Sequence, residues 1–402
     1  MNVKELPSYF KGIERDLFIK DEDGFERIGD KTDINFSDGE FCNVYDADVV
    51  MFSVDEYRGS GKQNNSDYTD GVRKEFYGLY PSRREVKVCD LGRMTVGAEL
   101  RDTYFLLSEI CGCLFELGKT VIVLGGGDDL SLGVYKGYSQ IGRIINMVGI
   151  DNRFDLTGVS KDDGSIYRNW LEEIMTAEPN YLFDYTLLGY QSYYVEKGGE
   201  DLLDDLYFER YRLGLLQGKL EKTEPILRDC DFISVDTGCL RKSDCQESVS
   251  PHGFYGEELC KLLHYGGLSD KLSCLLISGF AQSMDSGCKI TAHGLYYFLE
   301  GYTGRMGEVD IEDNDNYLRF EVLLNPQDGG GTYGDDGKQI EKALFYKSKL
   351  SDRWWIVVPC SDELKKRYRR HYIVPCEYKD YQEASKGKLP MKWIKAYNKL
   401  NR

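Results

Sequence analysis

The stretch Thr120 to Gly133, TVIVLGGGDDLSLG, constrains this chain more than any other. Val121, Ile122, Val123 and Leu124 run unbroken into Gly125, Gly126 and Gly127, and then into Asp128 and Asp129. An apolar run that stops at glycines and resumes with helical spacing through Leu130, Leu132 and Tyr135 predicts buried strand, tight turn, helix. In open parallel α/β sheets, ligands gather beyond the carboxyl ends of the strands. Asp128 and Asp129 are therefore expected where chemistry occurs. Two further strand ends deliver carboxylates in the same way: MVGIDNRFDL places Asp151 and Asp155, and DFISVDTGCLRKSD places Asp236.

The three glycines have two readings, a tight turn whose backbone needs glycine and direct contact with a ligand. A dinucleotide fingerprint does not fit, because Leu130 stands where its third glycine belongs. A phosphate loop does not fit either, for want of the lysine and the serine or threonine. Asp128 or Asp129 could also cap the helix that follows.

Strands and helices alternate through most of the chain. Strands are expected at 47–57, 86–92, 144–150, 180–193, 231–236 and 272–278. Helices are expected at 72–80, 104–117, 255–264 and 291–302, with an amphipathic segment at 166–175 and an acidic helix over 201–216. This pattern predicts a three-layer α/β/α domain with a mainly parallel central sheet. It spans 44–310 and is preceded by an N-terminal extension over 1–43. After residue 311 the text changes to short β-type runs, YLRFEVLL, ALFYKSKL and RWWIVVPC. Residues 311–402 therefore read as a β-rich appendage and tail packed on the main domain. Trp354, Trp355 and Trp393 read as core or interface anchors.

A net charge of −17 argues against nucleic acid as a partner. The one basic cluster, Lys365 to Arg370, reads as a solvated helix face. No segment is apolar for long enough to insert in a membrane. The N-terminus lacks the pattern of a secretory signal, so the expected location is cytoplasmic. The 12 cysteines are scattered and the four histidines stand at no metal-ligand spacing. Reduced thiols without a zinc site follow.

With its three aspartate turns in order, the chain resembles the ureohydrolase superfamily of arginases, agmatinases and formimidoylglutamases. That family carries a glycine-glycine-aspartate-histidine strand end, an aspartate-alanine-histidine-x-aspartate turn and an aspartate-x-aspartate turn, which hold two manganese ions. The matching stretches here are GGGDD, DNRFD and DTG. SDYTDGVRKEFYGLY and SPHGFYGEELCKLLHY agree as flanking text, and the resemblance covers about 45–302. LFDYTLLGYQSYYV and RWWIVVPC point to the formimidoylglutamase-like branch. The resemblance implies an arginase-like fold and a homo-oligomer.

Departures from the family pattern fall on the ligands. Asp128 stands for the first ligand histidine, Arg153 for the second and Gly238 for the second aspartate of the last turn. Gly279 falls where the family has its catalytic-site glutamate. Asp128, Asp151, Asp155 and Asp236 could hold one Mn²⁺, Mg²⁺ or Ca²⁺, whereas the Arg153 guanidinium cannot ligate and would take the place of the other cation. The expected function is a non-hydrolytic scaffold, binding or regulatory protein without a cofactor, with a possible protein partner. The alternative is an active hydrolase of a C–N bond in a guanidino or formimino compound, using one metal or none.

Overall fold

A computed structural model describes residues 1–17, 24–60, 66–156, 169–195, 199–245, 248, 250–279, 286–308, 311–312, 314–324 and 340–401. The chain divides into two compact units. One comprises Met1–Glu200 with Arg210–Gly304, and the other Asp201–Glu209 with Arg305–Arg402.

The first unit is organised by a sheet of ten strands: β1 (Phe10–Lys11), β2 (Asp33–Ile34), β3 (Val49–Ser53), β4 (Val88–Met94), β5 (Thr120–Leu124), β6 (Ile145–Ile150), β7 (Leu182–Tyr190), β8 (Glu209–Arg212), β9 (Phe232–Asp236) and β10 (Cys274–Ser278). Their spatial order is β1-β4-β3-β5-β10-β9-β6-β7-β8, with β2 also paired to β4. Every pairing from β4 through β3, β5, β10, β9 and β6 to β7 is parallel. β5, β6, β9 and β10 are buried along their whole length. That burial is why they read as continuous apolar runs without alternation.

Because the pleat sends successive side chains to opposite faces, each strand feeds two cores. Ile122 and Leu124 join one apolar cluster with Val72, Phe76, Leu259, Leu263, Leu295 and Phe298. Those residues come from helices Ser66–Tyr77, Gly256–Gly267 and Ser286–Tyr302. Two further helices, Leu100–Glu116 and Leu130–Gln140, pack on each other. There Phe115 stacks on Tyr138 with centroids 4.2 Å apart. Among the described residues no helix is long and apolar enough to cross a membrane. The cysteines are free thiols.

Two details depart from the sequence reading. Segments of the first 43 residues enter the sheet as β1 and β2. The acidic stretch 201–216 is not one helix: it forms helix Gly199–Asp205, strand β8 and a short helix Leu213–Leu216. Tyr207 takes a left-handed backbone conformation (φ 56) that no helix interior accepts.

The second unit is built on an antiparallel sheet in the order β11 (Tyr317–Leu323), β12 (Lys342–Ser348), β13 (Trp354–Val357) and β14 (Ile373–Cys376). Three β-type runs were expected; the fourth strand is short and contains Pro375, which an edge strand tolerates. Helices Asp362–Arg367, Tyr378–Ala384 and Met391–Asn401 complete the unit. Trp354, Trp355 and Trp393 are all buried. The Trp393 indole nitrogen donates to the Val357 carbonyl at 2.8 Å.

One buried ion pair ties the first unit together. Arg73 is fully buried and donates to both carboxylate oxygens of Asp90, at 2.9 and 3.3 Å, to the Ser53 hydroxyl at 3.1 Å and to the Gly92 carbonyl at 2.9 Å. Tyr77 also donates to Asp90, at 2.6 Å. A helix and two strands thus meet in a single buried network. Arg73→Met leaves Asp90 charged and dry. A loss of roughly 3–5 kcal/mol is expected, read as a lowered urea midpoint, and a change below about 1 kcal/mol would show that water re-enters the site.

Candidate functional site

The sheet order sets β5, β10, β9 and β6 side by side, so residues beyond their carboxyl ends converge. Gly125 and Gly126 turn the chain after β5 with φ of 101° and 65°. A Cβ on Gly126 would stand 2.6 Å from the Glu56 carbonyl oxygen. Of the two readings of these glycines, the turn accounts for the geometry without a ligand.

Asp128 follows that turn, Asp151 follows β6, and Asp236 is the last residue of β9. One oxygen from each can be chosen so that all three lie within 4.8 Å of one another. All three residues are buried. The Trp170 indole donates to Asp128 at 3.3 Å, the Asn152 amide to Asp151 at 2.5 Å and the Gly238 amide to Asp236 at 2.5 Å. Asn152 also spans the gap between β6 and β9, its side chain donating to the Gly238 carbonyl at 2.6 Å.

Asp155 stands outside the group of mutually close oxygens and pairs with Arg153, whose Nε lies 3.5 Å from its Oδ1. Neither of those two atoms has a hydrogen-bond partner among the described residues. Gly238 has no side chain to offer. Gly279, with φ 84, presses on Asp236 so closely that a Cβ there would lie 2.6–2.8 Å from the carboxylate.

Burial raises the pKa of Asp128, Asp151 and Asp155. The charge of Asp236 adds to the effect at Asp128 and Asp151, and that of Asp128 at Asp155, while Arg153 works against it at all three. Burial opposes the Arg153 charge in turn, but Asp155, Asp151, Asp236 and Asp128 together outweigh it and hold the guanidinium protonated. One arginine facing four carboxylates leaves negative charge unbalanced, which either protons or a cation must meet.

Asp129 lies at the start of the helix without capping it. Its side chain instead accepts from the Tyr104 hydroxyl at 2.5 Å, and Gly59 and Gly127 leave room for its carboxylate, where a Cβ would come within 2.1 and 2.0 Å. Trp170, Asn152 and Tyr104 were not singled out in the sequence. Trp170 carried the one readable signal, since a tryptophan on the apolar stripe of a helix usually finds an acceptor for its N–H.

Residues 46–237 match the model of the Arginase family. That segment is similar to the Arginase family. Formimidoylglutamase from Bacillus subtilis superimposes with a TM-score of 0.62 at 16% identity, covering 71% of this chain and 94% of its own. A Trypanosoma cruzi formiminoglutamase solved with Mn²⁺ gives 0.58 at 16% identity, covering 70% and 100%. The agmatine ureohydrolase of Thermoplasma volcanium gives 0.56 at 16% identity, covering 65% and 92%. These likenesses establish the arginase-like fold. No curated protein matches the sequence.

The donors present suit one hard divalent cation: three buried carboxylates, all oxygen, each raising the energy of the others when ionised.

The adjacent Asp129 supplies a pH signature. Burial first, and then the charge of Asp128, push its pKa up to about 7 from an ordinary value of 3.8. A raised value means that the folded state favours the neutral acid. The contribution is complete below pH 4 and is lost as the pH rises through 7, by about 4 kcal/mol at most. In Asp129→Asn, which keeps an acceptor for Tyr104, urea midpoints measured from pH 4 to 8 should fall less steeply than in the wild type. Parallel profiles would mean that Asp129 ionises freely in the fold.

Proposed function

We propose that this arginase-superfamily chain no longer performs two-metal hydrolysis and acts as a binding or regulatory protein, working in the cytoplasm as a homo-oligomer. The observation that carries the reading is the pairing of Arg153 with Asp155 at 3.5 Å, Arg153 standing where the resemblance places a private ligand of a second ion. Two bridged metals lower the pKa of a shared water and supply hydroxide near neutral pH. A fixed cation on a side chain can offset carboxylate charge but offers no open coordination position. Arg153 therefore neutralises part of the cluster and orients Asp155.

A second reading is favoured by the convergence of Asp128, Asp151 and Asp236. Those three would hold a single Mn²⁺, Mg²⁺ or Ca²⁺, and the ion would act as a Lewis acid on a guanidino or formimino group. Arg153, 35% exposed at its side chain, would then orient a substrate carboxylate or stabilise developing negative charge.

Elemental analysis of the chelator-treated protein after incubation with excess Mn²⁺ tests both, alongside assays for urea or formamide release from arginine, agmatine and formimidoylglutamate. The primary reading expects no more than one ion per chain and no turnover. Two ions, or turnover abolished by Asp151→Asn, would overturn it, and one ion with such turnover would establish the second reading. Arg153→His should raise manganese binding under the primary reading, and unchanged stoichiometry would count against the assigned role of Arg153. Size-exclusion chromatography with light scattering tests the oligomer, and a monomeric mass would remove it.

A further inference from the structure

Beside the carboxylate cluster, but sharing no residue with it, lies a cavity of about 440 Å³ at the end of β7. Its walls carry Tyr190, Tyr193, Tyr255, His252 and two arginines, Arg212 and Arg241. No aspartate or glutamate lines it among the described residues. In a chain with 68 acidic against 51 basic residues, that lining is not the background composition of the surface.

Both arginines are set by aromatic rings. Arg212 donates from Nε to the Tyr190 hydroxyl at 3.3 Å, and its guanidinium carbon lies 5.9 Å from that ring's centroid. Arg241 lies 4.4 Å from the Tyr255 centroid. Among the described residues its nearest carboxylate is Asp244, 3.9 Å from Nε, and Arg241 Nε is buried without a hydrogen-bond partner. The backbone beneath is fixed. The Arg241 amide donates to the Phe254 carbonyl at 3.0 Å, and the Gln191 amide donates to the Asn152 carbonyl at 2.8 Å.

Guanidinium forks match carboxylates with two parallel hydrogen bonds, and stacking on tyrosine orients the fork before a ligand arrives. A cavity of this size, with tyrosine rings and convergent polar groups on its walls, takes a small polar molecule. We infer that this pocket binds a small organic acid bearing at least one carboxylate, held between Arg212 and Arg241 against the tyrosine walls. The inference stands whether or not the carboxylate cluster holds a cation, because none of the pocket's residues belongs to that cluster.

Isothermal titration of the full chain with succinate, inorganic phosphate and neutral succinamide tests it. Succinate should bind with millimolar or better affinity, succinamide should not, and binding should weaken as salt is raised. Arg212→Gln and Arg241→Gln should each weaken succinate by roughly tenfold, with Arg→Lys variants in between, while Arg319→Gln, an equal charge change elsewhere, leaves it unaltered. Circular dichroism checks that each variant is folded. No succinate binding to the wild type, binding insensitive to both arginine changes, or tighter binding of phosphate than of succinate would each overturn the assignment.

Discussion

Like charges gathered at one dry sheet edge set the terms for everything around them. A parallel sheet directs the ends of β5, β9 and β6 to one place, and each arrives with an aspartate. Burial disfavours ionised carboxylates and proximity disfavours them again. The surroundings answer that cost in several ways. Trp170, Asn152 and the Gly238 amide donate to individual oxygens, and Arg153 supplies positive charge. Each of these donors offsets part of the cost of burying a polar atom there.

Much of the frame was legible because its signals are local. Apolar runs without alternation identify buried strands, and TVIVL, INMVGI and FISVD end where the text turns to glycine and aspartate. The convergence of Asp128, Asp151 and Asp236 followed from strand ends and a parallel sheet alone. The distinction between Asp155 and the other three aspartates was not legible: it depends on where the Arg153 side chain lies, and spacing carries no information on that. Asp129 offers the same lesson, since a cap and a partner for Tyr104 look alike in sequence. Tyr104 lies 25 residues away on another helix.

The second unit was harder to read. β14 is four residues with a proline inside, and a strand of that length exists only because β13 supplies its partner groups. Residues 201–216 failed in the opposite sense. Acidic and leucine-rich text carries helix propensity, but ERYR alternates and Tyr207 breaks the backbone before it. The long-range pairing of Arg73 with Asp90 belongs with these cases, because a buried arginine is legible only after the strands that bury it have been placed.

The close seating of Gly279 on Asp236 limits what this strand end can carry. A glycine with φ 84 whose absent Cβ would overlap a carboxylate is not a blank position awaiting a side chain. Any larger residue there requires both the backbone and Asp236 to move first. A side chain at that strand end would therefore destabilise the carboxylate seating that Asp236 now has. The carboxylate of Asp236 is thus positioned by the absence of a side chain at Gly279 as well as by the amide that donates to it.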